Sequence, residues 1–185
     1  MDVFPIPSDV RYDYADSFTD KHRGTDIFAA RGTPVVAVTD GIARADEDPR
    51  GGHVVYLVGE DGNRYYYAHL DSRDPVLEAA GRLGVSVVAG AALGAVGTTG
   101  NAEGTSPHLH FQVATDAGTV NPFPVLTGID PHRNALVAPE KPKPKPEAPK
   151  TKLSSSSDQA TEAGGAGIAV LVLLLALSRS RRSRR

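Results

Sequence analysis

The 185-residue chain contains no cysteine, so disulfide bonds and thiolate metal ligands are excluded. Its formal net charge is −2, but residues 1–138 carry 10 Lys and Arg against 18 Asp and Glu, whereas residues 139–185 carry 10 basic and 4 acidic side chains. An acidic body without a stripe of basic residues argues against nucleic acid as a partner of the folded part. We therefore expect one domain followed by a chemically distinct tail.

Residues 1–20 lack the basic and apolar regions of a secretory signal peptide. We expect them to form an ordered lead-in to the domain. Because the tail described below predicts a location outside the cytoplasm, we also expect that the natural start lies upstream of Met1 or that a leader has been removed.

Short apolar segments separated by turn residues follow. Those at 35–38, 42–45, 53–58 and 63–70 are predicted strands. Asp40-Gly41 is typical of a hairpin turn between the first two. Residues 74–80 are the one predicted helix, with Pro75 suited to its first position. This spacing predicts a mainly β fold over residues 1–138, a compact antiparallel sheet or β-sandwich-like domain.

The composition changes at residue 139. Residues 139–162, rich in Pro, Lys and Ser, are predicted to be a disordered linker. Residues 163–178 are predicted to be a hydrophobic helix, although the apolar run gives roughly 22 Å of helix against a hydrocarbon core of about 30 Å. The Arg-rich residues 179–185 are expected to stay in the cytoplasm. The helix is therefore interpreted either as a membrane anchor or as a Gly-Gly-type sorting signal that a processing protease removes.

Residues 107–111, Pro-His-Leu-His-Phe, hold two of the six histidines. In an extended strand His108 and His110 point to one face, and Leu109 and Phe111 point to the other. Two imidazoles on one face are typical of a metal or proton-transfer site, but also of a buried, hydrogen-bonded pair. The choice depends on partners elsewhere in the chain.

Further candidate ligands are His22 with Asp26, and His69. Donor atoms on one zinc ion lie about 3 Å apart, whereas His22 and Asp26 in one straight strand would be about 13 Å apart. The chain must therefore bend between them, and Gly24 is expected to permit the bend. The H-x-x-x-D spacing is a weak signal by itself.

In combination the motifs are specific. In order, they are His-Arg-Gly-Thr-Asp-Ile, Gly-Thr-Pro-Val, Gly-Gly-His-Val-Val, Tyr-Tyr-Ala-His-Leu, the glycine-punctuated residues 88–100, and His-Leu-His-Phe. Together they resemble the lysostaphin/LytM-type zinc metallopeptidases over roughly half of the chain.

The resemblance implies one zinc ion per domain, bound by His22, Asp26 and His110. It implies a catalytic role for His69 and His108, beside the water that zinc activates. Tyr67 is expected on the same strand face as His69, where it is either a donor to a developing oxyanion or a packing tyrosine. We expect no functional role for the other two histidines, His53 and His132.

The implied activity is hydrolysis of amide bonds in the stem or cross-bridge peptides of peptidoglycan. The alternatives are a non-catalytic module of the same fold that binds wall peptides or activates a hydrolase, and a zinc peptidase with another peptide substrate. All five family positions are occupied, which favours catalysis. The expected location is the cell envelope, with the catalytic domain outside the cytoplasmic membrane and the C-terminal helix anchored or processed.

The two interpretations of the tail predict different mature C termini. A sorting signal is expected to be cut near Gly165, with loss of all later residues, whereas a membrane anchor retains Arg185. Mass spectrometry of protein purified from an envelope fraction measures this directly. Absence of the protein from the envelope fraction would contradict both interpretations.

Overall fold

The structure is a computed structural model that describes residues 1–133. The predicted linker (139–162), hydrophobic helix (163–178) and Arg-rich tail (179–185) lie outside the described residues. The described elements are β1 (Tyr12–Tyr14), β2 (Thr25–Ala29), β3 (Pro34–Val36), β4 (Gly41–Asp48), β5 (Gly52–Gly59), β6 (Arg64–Arg73), α1 (Pro75–Ala80), β7 (Val85–Val87), β8 (Ala92–Val96), β9 (His108–Thr115), β10 (Gly118–Val120) and α2 (Phe123–Ile129). Within residues 1–133 no helix is long and apolar enough to cross a membrane.

The ten strands form one connected sheet in which every pairing is antiparallel, which confirms the predicted mainly β fold. Its main path runs β1-β2-β9-β6-β5-β4-β7, with β10 added to β9 and the β3–β8 pair joined to β6. The strand that carries His108 and His110 therefore lies inside the sheet, between β2 and β6.

One face of the sheet is packed in cross-strand rows. Ala43, Leu57, Tyr65 and Val113 are successive partners across β4, β5, β6 and β9, and so are Ala45, Val55, Tyr67 and Phe111. All eight side chains are buried in one hydrophobic core. Burial of such apolar rows stabilises the sheet and fixes its register, because a slip of one residue would turn each row toward solvent. The opposite face of the same four strands is left for a cleft.

The predicted helix is present as α1. Asp74 caps it by accepting a hydrogen bond from the backbone N–H of Val76 at 2.9 Å, and Pro75 opens it as expected. The predicted hairpin at Asp40-Gly41 is wrong, because β3 pairs with β8 while β4 pairs with β5 and β7. Gly41 instead permits a close approach, since a Cβ there would lie 2.2 Å from the carbonyl oxygen of Val58.

Asp130 ties the end of the described chain to its beginning. The hydroxyls of Tyr12 and Tyr14 donate to its two carboxylate oxygens at 2.6 and 2.8 Å, and the backbone N–H of His132 donates at 2.8 Å. The carboxylate is almost fully buried. Burial alone would raise the pKa of Asp130, but these hydrogen bonds outweigh it and hold the pKa below its usual value. The fold therefore favours the ionised carboxylate.

Asp130→Asn is expected to lower the free energy of unfolding by about 1–3 kcal/mol, because the NH2 group that replaces one carboxylate oxygen cannot accept the hydrogen bond of the tyrosine hydroxyl facing it. Since the folded pKa is depressed, the contribution of Asp130 is complete above about pH 4 and is lost as the pH falls through the folded pKa. Denaturant unfolding between pH 7 and pH 3 measures both effects. Asp116→Asn, in the exposed turn after β9, is the control and should change neither. Equal unfolding curves for the two variants would contradict the role of Asp130.

Candidate metal centre

Strand β9 places the centre of the site. Asp26 on β2 is the direct cross-strand partner of His110, and Ala68 on β6 is its partner on the other side. Along β9, His108 and His110 line a cleft while Leu109 and Phe111 are fully buried in the core. The predicted alternation of residues 107–111 is therefore confirmed.

Three predicted ligands are brought together. His22, Asp26 and His110 each offer one donor atom, and these atoms all lie within 4.8 Å of one another. Oδ1 of Asp26 is 3.1 Å from Nε2 of His22 and 2.7 Å from Nδ1 of His110. Two imidazoles and a carboxylate are a common protein ligand set of catalytic zinc. The donor chemistry and its convergence fit the implied metal.

Hydrogen bonds outside this group orient the two rings. Nδ1 of His22 donates to the carbonyl oxygen of Ser17 at 2.8 Å, which leaves the lone pair of Nε2 on the side of Asp26. The side-chain amide of Gln112 lies 2.8 Å from Nε2 of His110. Because an amide has both a donor and an acceptor, it can partner Nε2 in either protonation state and leaves Nδ1 facing Asp26. Gln112 is not among the predicted site residues, although the alternation that places His108 and His110 on one face extends to it.

Gly24 is required for a different reason from the one expected. Its backbone φ is outside the left-handed region. A Cβ at this position would lie 2.6 Å from the carbonyl oxygen of Phe111 and 2.7 Å from Cε1 of His110. The glycine therefore lets the loop that carries His22 pass directly over β9 and reach the side of Asp26.

His69 and His108 form the second part of the site. Their ring centroids lie 4.9 Å apart, and the ring of His69 is 5.8 Å from that of His110. Nδ1 of His69 donates to the carbonyl of Thr99 at 2.9 Å, and Nδ1 of His108 donates to that of Ser106 at 2.8 Å. A carbonyl oxygen only accepts, so both rings keep a basic Nε2. The structure thus places both predicted catalytic histidines beside the ligand group.

The electrostatics of the site favour an ionised Asp26 and a neutral His69. Burial alone would raise the pKa of Asp26, but hydrogen bonding to His110 and the nearby His22 hold it below its usual value. Burial lowers the pKa of His69, and the bond to Thr99 opposes this only partly. A neutral imidazole next to an anionic ligand group can accept a proton.

The backbone at His69 is unusual. Its φ of 64° makes it the one non-glycine residue with positive φ among residues 1–133. Here β6 carries an extra residue opposite β5, where the register shifts between His53 and Val55. Such a bulge re-aims the following side chains. The expectation that Tyr67 and His69 share a face is therefore wrong.

Tyr67 is not brought to the cleft. Its side chain is fully buried in the core, and its hydroxyl accepts a hydrogen bond from the backbone N–H of Val38 at 3.1 Å. Burial also raises its pKa. Of the two candidate roles, the structure favours the packing tyrosine. The neighbouring Tyr66 points to the cleft instead, with its ring centroid 6.3 Å from that of His110.

The cleft has a volume of about 770 Å³ and contains all five predicted histidine and aspartate positions. Neither His53 nor His132 lines it. His53 lies beside Glu47, with 3.6 Å between Nε2 and Oε1, and His132 stacks on Tyr12 at 4.5 Å between centroids. Both side chains therefore lie outside the cleft.

Comparisons with known proteins agree with this geometry. The sequence profile of Peptidase family M23 matches residues 20–122. The chain is 37% identical over 112 residues to the glycyl-glycine endopeptidase ALE-1 of Staphylococcus capitis, covering 57% of this chain and 29% of that protein. It is 30% identical to the L-Ala–D-Glu endopeptidase of Bacillus subtilis, covering 67% and 42%. The chain thus spans less than half the length of these relatives.

Two solved structures share the fold. One is a glycyl-glycine endopeptidase lytM homologue from Ruminococcus gnavus, with 33% identity, a TM-score of 0.58, and coverage of 69% of this chain and 60% of that one. The other is lysostaphin from Staphylococcus simulans, with 27% identity, a TM-score of 0.55, and coverage of 75% and 57%.

Gly24→Ala is expected to displace the His22 loop or the ring of His110 and so to separate the three donor atoms. We expect at least a tenfold loss of zinc affinity, the scale seen when the shell around a metal site is disturbed. A competition titration with a chromophoric chelator measures it. Gly128→Ala is the control, since a Cβ there meets no atom within 4 Å. Unchanged affinity in Gly24→Ala would show that the close approach is not needed.

Proposed function

Because the chain belongs to peptidase family M23, we propose that it is a zinc-dependent endopeptidase that hydrolyses amide bonds in the stem or cross-bridge peptides of peptidoglycan. The observation that carries the proposal is the convergence of the donor atoms of His22, Asp26 and His110 within 4.8 Å, beside two further imidazoles in one cleft. Zinc held by these three residues would supply a Lewis acid that polarises a peptide carbonyl and makes a water molecule more acidic.

The remaining groups handle protons. Nε2 of His69 and Nε2 of His108 are the free basic atoms beside the ligand group, because both Nδ1 atoms are committed to backbone carbonyls. One of them accepts the proton of the attacking water, and the resulting imidazolium returns it to the leaving amine. The other, held at a ring distance of 4.9 Å, accepts a hydrogen bond from the same water molecule and so orients it for attack. The hydrogen bonds from Nδ1 to the backbone carbonyl oxygens keep both rings from rotating during this proton transfer.

The names of the relatives support peptide hydrolysis as the reaction, but they differ in the bond that is cut. One is named for glycyl-glycine bonds and another for the bond between L-Ala and D-Glu. The D-configured residue in the second name is a constituent of peptidoglycan, which supports that polymer as the substrate class. A non-catalytic binding module would need neither the ligand triplet nor the His69–His108 pair, and both are complete here.

The proposal includes a location. Peptidoglycan lies outside the cytoplasmic membrane, so the catalytic domain would act there. The apolar residues 163–178 and the Arg-rich residues 179–185 would anchor it or direct its processing.

Two substitutions separate metal binding from proton transfer. His110→Ala removes a ligand and is expected to lose both zinc and activity. His108→Ala is expected to keep zinc while the hydrolysis rate falls by about 10²–10⁴-fold, the usual contribution of a general acid–base group. Zinc content by elemental mass spectrometry and turbidity loss of purified cell walls measure the two properties. His132→Ala, remote from the cleft, is the matched control.

The ligand assignment is wrong if purified His110→Ala protein cleaves cell walls at the wild-type rate. Removal of zinc by a chelator should abolish activity, and added zinc should restore it. Loss of zinc in His108→Ala would show that His108 is a zinc ligand and not a proton-transfer residue.

A further inference from the structure

The basic side chains of the domain are concentrated in the cleft. Residues 1–133 contain ten Lys and Arg residues, and half of them line this cavity. These five are Lys21, Arg23, Arg44, Arg50 and Arg64. Residues 1–133 as a whole are acidic, so the cleft has the opposite charge from the rest of this domain.

None of the five basic residues in the cleft forms an ion pair with a carboxylate among residues 1–133, although Asp46 interacts electrostatically with Arg44. Outside the cleft, by contrast, Arg31 pairs with Asp71, Arg73 with Glu47 and Glu78, Arg82 with Asp46, and Arg133 with Asp130. Arg11 is the remaining basic residue and is exposed. Carboxylates thus neutralise cations elsewhere on the domain but leave those in the cleft available to a ligand.

Two of these cations are held in place by contacts that leave their charge intact. The guanidinium of Arg64 donates to the carbonyl oxygen of Thr115 at 3.1 Å. That of Arg44 lies over the ring of Tyr56, with 4.8 Å from Cζ to the centroid. A guanidinium fixed by an aromatic face presents its N–H groups outward in the geometry that suits a carboxylate.

Arg44 is connected to the metal centre by a row of side chains across the sheet. Arg44, Tyr56, Tyr66 and Gln112 are successive partners on β4, β5, β6 and β9. The rings of Tyr56 and Tyr66 lie 5.1 Å apart, and Gln112 contacts His110. Three strand spacings of about 4.8 Å place Arg44 roughly 14 Å from Gln112. An extended peptide covers that distance with about four residues.

Two acidic side chains of β4 lie near Arg44. Asp46 forms an ion pair with Arg82 at 2.7 Å, whereas Asp48 lines the cleft. Oδ1 of Asp48 accepts hydrogen bonds from the backbone N–H groups of Arg50 and Gly51 at 2.9 and 2.7 Å. Its charge is therefore partly satisfied by the loop that bears it and does not form an ion pair with Arg44 or Arg64.

We propose that the cleft selects an acidic peptide, with Arg44 binding a substrate carboxylate about three to five residues from the bond that is cut. The distance to the bond that is cut rests on the proposed function, whereas the preference for an acidic peptide depends only on the charges in the cleft. The cations line the same cavity as the metal centre, and Arg44 begins the strand row that leads to it, which favours a peptide carboxylate over a separate anion site.

The test uses a matched pair of blocked nine-residue peptides of alanine and glycine, one with glutamate at both ends and the other with glutamine. Binding is measured at low ionic strength with full-length, zinc-loaded protein in the His108→Ala background, so that turnover does not interfere. We expect the glutamate peptide to bind about 3- to 10-fold more tightly, the scale of one or two partly exposed charge-assisted contacts. Added salt should reduce the preference.

Arg44→Gln should remove most of this preference, whereas Arg11→Gln, which deletes an unpaired cation outside the cleft, should retain it. Equal affinity for the two peptides, including no measurable binding of either, overturns the inference. So does an unchanged preference in Arg44→Gln. Binding of inorganic polyphosphate but of neither peptide overturns it as well and identifies a phosphate site.

Cleavage of the same peptides by the wild-type chain is followed in parallel. A charge preference in binding without cleavage of either peptide would leave this inference standing while counting against the proposed activity. Cleavage of both peptides with equal binding affinity would support the proposed activity and contradict the charge preference.

Discussion

The site depends on the register of β9 between β2 and β6. Asp26 faces His110 only because Thr25 and Ile27 pair with Phe111 and Leu109, and all four of these side chains are fully buried. A shift of one residue would send both histidines into the core and the two apolar side chains into the cleft, at a cost of several kcal/mol. The chemistry of the cleft is thus maintained by packing on the other side of the same strand.

The bulge at His69 is the second constraint. Without the extra residue in β6, His69 would follow Tyr65 and Tyr67 into the core. The positive φ turns it to the cleft while Leu70 returns to the core, fully buried. A non-glycine residue in this region is strained by about 1–3 kcal/mol, which the surrounding sheet must offset. This strained backbone holds the neutral imidazole of His69 in the cleft, beside the ligand group, where it can accept a proton.

Much of the site could be predicted from local sequence pattern. Alternation placed His108 and His110 on one face, and spacing required a bend between His22 and Asp26. The misses come from information that local pattern does not carry. Tyr67 was assigned to the wrong face because a bulge has no dependable sequence signal, and the reason for Gly24 is a contact with a strand more than 80 residues away. The cross-strand neighbours of Arg44 depend on the order of the strands in the sheet, which local sequence pattern does not predict.

The charge distribution shows the same limit. Counting residues predicted an acidic body, and the count is right, yet it conceals a cleft whose five cations form no ion pair among residues 1–133, while four of the five cations elsewhere in that range do. Sequence reports the total charge, whereas only the fold shows which charges are already satisfied.

The contact between Asp130 and the tyrosines of β1 has a mechanical consequence. Any tension applied to the chain beyond residue 133 is transmitted first to the hydrogen bonds of Asp130, and through them to β1 at the outer edge of the sheet. The covalent chain also leads back from Asp130 through α2 and β10 to β9, which carries His108 and His110. The hydrogen bonds of Asp130 therefore divert part of such a load to the outer edge of the sheet before it reaches the strand that holds the ligands.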